Sequence, residues 1–140
     1  MVTIANSASV YLDANSLIYI TEGTAAFKKS IGAFLRTALA ANARLVTSEL
    51  AITEVLVHPL RENSQRLIDA YNELFDQFVQ AVPIDRSILV RAAELRAAAS
   101  KLRTPDAIHI ATAESLQAQV FVTGDRGIAV SPPMVRHIIG

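Results

Sequence analysis

The chain contains no cysteine, which excludes disulfides, thiolate metal sites and a cysteine nucleophile and fits a reducing compartment. It also lacks net charge, with 13 Lys and Arg against 13 Asp and Glu. Without a global positive field, a polyanionic partner has to be held by local cationic patches or through a metal. No apolar run is long enough to span a bilayer. Met1 to Ser9 has neither the basic region nor the long apolar stretch of a secretion signal. The expected setting is therefore the cytoplasm, with no membrane partner. A glycine-rich phosphate loop is missing, which disfavours nucleotide binding of the P-loop kind, and there is no internal repeat, low-complexity run or linker. What remains is 140 residues, 51% hydrophobic and 19% charged. That composition excludes a disordered chain and suits one domain, 1–140, with an ordinary core.

Hydrophobic patterning gives alternating strands and helices. Val10-Tyr11-Leu12, Leu45-Val46-Thr47 and Val120-Phe121-Val122 read as short strands, apolar on both faces and therefore central. Val82-Pro83-Ile84 reads as an edge strand because of its proline, and Met134-Val135-Arg136 as a marginal last one. Asn15 to Tyr19 suits a short helical turn. Helical spacing predicts helices over 25–41, 63–80, 87–100 and 104–116, and another carrying Glu54 that Ser48 caps and His58-Pro59 breaks. Asp85 is placed as an N-cap, and Pro105 at a first helical position. Such alternation predicts a three-layer α/β/α fold around a mostly parallel sheet of about four to five strands, with its site outside the carboxyl ends of the strands.

Four acids sit in core-like surroundings: Asp13 and Asp125 just after apolar strands, Glu54 among Ile52, Val55 and Leu56, and Asp106 in the first turn of a helix. A desolvated carboxylate must be paired, protonated or metal-bound. A shared cation solves the problem for all four. Carboxylates are hard ligands suited to Mg²⁺ or Mn²⁺, and such a site serves phosphoryl chemistry. Taken singly, each acid has a plain structural alternative: Asp106 as a helix-dipole partner, Asp13 capping a turn through Asn15, Asp125 in a Gly-Asp-Arg-Gly turn.

Four segments carry a resemblance. They are Val10 to Tyr19, Thr47 to Leu56, Pro105 to Ala113 and Phe121 to Asp125; in this order and over nearly the whole chain they resemble a PIN domain, and in particular the VapC-type ribonuclease toxins. The resemblance implies a Mg²⁺- or Mn²⁺-dependent endoribonuclease whose metal-binding quartet is Asp13, Glu54, Asp106 and Asp125. Asn15 and Thr123 take the helper polar positions. It implies hydrolysis of RNA by an activated water with no covalent enzyme intermediate, a homodimer, and silencing by a cognate protein antitoxin. One departure stands out: after Asp125 come Arg126, Gly127 and Ile128, where family members often carry a further acid and an aromatic, which puts a second metal in doubt.

Arg126, beside Asp125, is the candidate for touching substrate phosphate. Arg86, Arg91, Arg96, Lys101 and Arg103 rotate around a helix rather than forming one stripe. His109, one turn after Asp106, reads as an oriented structural histidine, with metal ligation or proton shuttling as the other readings. His58 reads as bonding free carbonyls at a helix end, and His137 is assigned nothing. Two rival functions are an aspartyl-phosphate phosphatase, which wants an acid where Asn15 stands, and a non-catalytic metal-binding or protein-interaction module.

Overall fold

In the computed structural model, residues 3–139 are described. The elements run β1 (Ser9–Leu12), α1 (Ala14–Glu22), α2 (Ala25–Ala40), β2 (Arg44–Ser48), α3 (Leu50–Arg61) and α4 (Gln65–Glu73). They continue with β3 (Gln80–Val82), α5 (Arg86–Ala98), α6 (Thr104–Ser115), β4 (Val120–Thr123) and β5 (Val135–Ile138). Five parallel strands form one sheet in the order β3-β2-β1-β4-β5.

Period-two alternation assigns the strand side chains to opposite faces. Val10, Leu12, Val120 and Val122 pack on one side with Leu17, Phe34, Val55 and Tyr71 from α1 to α4. Tyr11, Val46 and Phe121 pack on the other, against Ile110 and Ala113 of α6. Ile88 and Ala92 of α5 close that layer against Ala107 and Ala111. The result is the expected α/β/α sandwich, with β1 at its centre and buried along its whole length.

Several boundaries differ from the sequence reading. Pro59 lies inside α3 and does not break it. The missing N–H forfeits one bond to the preceding turn, and burial of the proline ring offsets part of that cost. The stop comes at Asn63, which adopts the left-handed conformation that asparagine tolerates. The helix expected over 63–80 is cut short: α4 widens into a π-helical turn over Leu74–Phe78, closed by Val79 N–H donating to the Leu74 carbonyl at 2.9 Å. This moves β3 two residues earlier than expected, leaving Pro83 just past an edge strand whose register needs no proline N–H. At the α6 start, Arg103 holds the cap position without a side-chain bond and Pro105 stands second, not first. The turn after β1 is longer than expected and forms all of α1.

Candidate active site

The chain runs from β1 outward to β2 and β3, then crosses back to add β4 and β5 on the other side. That reversal opens a crevice at the carboxyl ends of β1 and β4. Leu12 is paired with Val122, so Asp13 and Thr123 leave the sheet side by side. Gly124 follows; a Cβ there would overlap the Tyr19 ring of α1, so only glycine lets the end of β4 come this close.

Asp13 is the N-cap of α1 and is only 4% exposed. Its Oδ1 accepts from the Ser16 backbone N–H at 2.9 Å and lies 2.8 Å from the Ser16 hydroxyl. Burial pushes its pKa up, against opposing hydrogen bonds from Thr123 and Ser16 and the nearby His109. The capping partner is Ser16, not Asn15, which is exposed. The spacing Asp-x-x-Ser, an N-cap pattern, was the available signal for Ser16.

Glu54 projects from α3 with 29% of its side chain exposed, and its Oε1 lies 2.6 Å from His109 Nε2. The other ring nitrogen, Nδ1, lies 2.6 Å from the Tyr11 hydroxyl. Burial raises the Tyr11 pKa far above the ordinary range, so the phenol keeps its proton. The Glu54 carboxylate can only accept, so Nε2 donates to it, and Nδ1 of a neutral ring then accepts from the Tyr11 hydroxyl. His109 is thus an oriented histidine with both nitrogens engaged. Sequence alone did not reveal Tyr11 as its partner, because a tyrosine in a buried strand reads as core.

Asp106 and Asp125 both line a cleft of about 510 Å³ that Lys101, Arg103, Leu95 and Ile128 also border. Arg103 Nε donates to Asp106 Oδ2 at 3.2 Å. Asp125 Oδ1 accepts from the Gly127 N–H at 2.8 Å, and Thr123 Oγ1 accepts from the Asp125 N–H at 3.0 Å. The turn reading of Asp125 therefore holds alongside its place in the cleft. The basic residues do not form a stripe: Arg91 grips Glu114, Arg96 ties down the Leu102 carbonyl and Thr104, and Arg126 is exposed. His58 is exposed in the last turn of α3, and His137 stacks on Phe34 at 4.4 Å between ring centroids.

The donor set is all oxygen and includes one desolvated carboxylate, so in kind it fits a hard divalent cation. In placement it is open: among the described residues, no three His, Asp or Glu side chains are grouped closely enough to hold one ion. Asp106 and Asp125 share a cleft, while Asp13 and Glu54 are each held by hydrogen bonds of their own.

The family model described as PIN domain matches residues 10–130. No curated protein sequence matches the chain. Among solved structures, VapBC2 from Rickettsia felis, bound to a DNA fragment from their promoter, superposes with a TM-score of 0.77 at 14% identity, covering 94% of this chain and 99% of that one. A toxin-antitoxin complex from Klebsiella pneumoniae gives a TM-score of 0.62 at 22% identity, covering 90% and 94%. VapBC-1 from nontypeable Haemophilus influenzae gives 0.61 at 22%, covering 84% and 87%.

Proposed function

The chain belongs to the PIN domain family, and from that premise we propose that residues 1–140 form a single metal-dependent ribonuclease domain, the toxin of a toxin–antitoxin pair. The observation that carries this reading is Asp13: a buried carboxylate at the mouth of the β1–β4 crevice, with Thr123 beside it and Asp125 two residues further along. A lone desolvated acid at a switch point is costly to keep unless a cation or proton compensates it.

Asp13, Glu54, Asp106 and Asp125 would hold Mg²⁺ or Mn²⁺. When bound, such an ion polarises the scissile phosphate and lowers the pKa of an attacking water. The chain's own residues do the rest. Thr123 steadies the turn that carries Asp125 through its bond to the Asp125 N–H. Asn15, exposed at the start of α1, is available to an incoming strand of RNA, and Arg126 to a phosphate. Asp106 would be free to serve as a ligand, since its contact with Arg103 is 70% exposed on the arginine side and weak.

A protein antitoxin and a homodimer are proposed partners. The structural neighbours are toxin–antitoxin complexes, and an apolar groove lined by Leu35, Leu39, Leu45, Leu74 and Phe78 leaves Leu39 and Phe78 about 60% exposed. No helix among the described residues is long and apolar enough to cross a membrane.

The phosphatase reading is disfavoured because Asn15 supplies no acid and points outward. The test of the nuclease reading is RNA cleavage by purified protein with Mn²⁺ or Mg²⁺, against an Asp125→Asn control. Metal-dependent cleavage lost in the control supports it. Metal binding without cleavage of any RNA would favour the non-catalytic module.

A further inference from the structure

Of the three tyrosines, Tyr11 and Tyr71 are fully buried and Tyr19 is partly exposed. The Tyr19 ring stacks on Phe27 of α2, itself partly exposed, with centroids 4.7 Å apart and planes at 20°. The edge of the same ring packs on Gly124, the residue between Thr123 and Asp125. An aromatic pair therefore stands against the backbone that carries Asp125. Asn15, exposed one helical turn before Tyr19, shares its face of α1. Lys28 and Lys29 follow Phe27 directly, both exposed, and neither makes an ion pair among the described residues.

These are the parts of a surface for single-stranded nucleic acid: an aromatic face on which any base can stack, and cations open to backbone phosphates. Unpaired lysines are also what a chain without net charge needs to hold a polyanion locally. Position favours a base over a protein side chain as the occupant. The ring abuts the residue before Asp125, so a strand whose scissile phosphate lies at Asp125 brings a neighbouring nucleotide to Tyr19. We propose that Tyr19, backed by Phe27, stacks the base of a nucleotide flanking the scissile phosphate, with Lys28 and Lys29 contacting adjoining phosphates. The inference rests on the nuclease reading, which supplies the RNA, but it needs no cation in place. A ring that served packing alone would, on removal, lower the melting temperature and leave the preference for a base-bearing strand unchanged.

The probes are a short single-stranded oligoadenylate, an abasic ribose-phosphate strand of the same length and a polyglutamate peptide, each titrated in EDTA at low salt. Affinity is measured by calorimetry and contact by the Tyr19 ring protons in NMR. Wild type should bind the oligoadenylate about tenfold more tightly than the abasic strand, with the Tyr19 ring protons shifted upfield by the stacked base. Tyr19→Leu should bring both strands to one affinity, and Tyr19→Phe should keep the preference. Lys28→Ala with Lys29→Ala should weaken both strands alike and flatten their salt dependence. Wild type that binds both strands equally, or neither, overturns the inference, as does a folded Tyr19→Leu that keeps the preference. Metal-dependent RNA cleavage by the same wild-type sample would then leave the nuclease reading standing. Should Tyr19→Leu fail to fold, the wild-type preference and the ring shift decide: both together support the inference, and the absence of either overturns it. A ring shift with polyglutamate and none with oligoadenylate overturns it in favour of a protein occupant. Wild type that binds neither strand and cleaves no RNA overturns the nuclease reading as well.

Discussion

Ser16 has one hydroxyl proton, and its Oγ lies 2.8 Å from Asp13 Oδ1 and 2.7 Å from the Val122 carbonyl. The Ser16 proton is therefore shared between two acceptors, while Asp13 Oδ1 also accepts from the Ser16 backbone N–H at 2.9 Å. These bonds favour the ionised carboxyl and oppose the burial that pushes the Asp13 pKa up; burial is the larger effect.

Asp13→Asn should therefore abolish RNA cleavage and yet melt no lower than wild type in EDTA. The sign follows from linkage: a folded-state pKa above the ordinary 3.8 gives stability that is full below that value and lost as pH rises through the folded pKa. At neutral pH the wild type has lost that contribution, whereas asparagine keeps a neutral donor there. A gain of about 3 °C corresponds to roughly 1 kcal/mol for a chain of this size, and it should shrink on acidification. A large fall in melting temperature at pH 7 would instead make Asp13 a structural carboxylate.

The sandwich was legible because β1 and β4 are short apolar runs that alternate with amphipathic helices, a pattern that admits few topologies. Pro59 and the end of α4 were not. Whether a helix absorbs proline's lost hydrogen bond depends on how the ring packs, and the π-helical turn depends on where the chain must enter β3; neither is local information. The acids were legible as residues out of place in apolar sequence. Their partners were not, since Tyr11 lies 98 residues from His109 and Glu54 lies 55 from it. Ser16 was within reach of Asp13 by cap spacing alone.

Arg103→Ala should scarcely change stability, because its ion pair with Asp106 is exposed on the arginine side and such pairs contribute about 0–1 kcal/mol. Freed of that contact, Asp106 should bind Mn²⁺ no more weakly, and by calorimetry somewhat more tightly, than in wild type. Markedly weaker Mn²⁺ binding would mean that Arg103 holds Asp106 in its working position.

Cleavage should be lost on chelation and return with Mg²⁺ or Mn²⁺. The ligand set is carboxylate with no thiolate in the chain, so hard ions should restore activity far better than thiophilic ones such as Cd²⁺. RNA cleavage by a pure sample in excess EDTA would overturn a metal-dependent mechanism.

Arg126 is presented by a turn that the site itself builds. Asp125 Oδ1 accepts from the Gly127 N–H, and Arg136 donates to the Arg126 carbonyl at 2.9 Å. The backbone of Arg126 is thus clamped while its side chain stands in solvent next to a proposed metal ligand. In a chain with no net charge, one such guanidinium is a substantial share of what can hold a phosphate. Arg126→Ala should weaken cleavage by about tenfold or more, the loss expected for a hydrogen bond to a charged group worth roughly 1.5–3 kcal/mol. Mn²⁺ affinity by calorimetry should not fall, because removing a nearby positive charge cannot disfavour a cation. Cleavage at the wild-type rate would take Arg126 out of the substrate path, and a parallel loss of Mn²⁺ binding would mean that the turn, not the guanidinium, was what the substitution damaged.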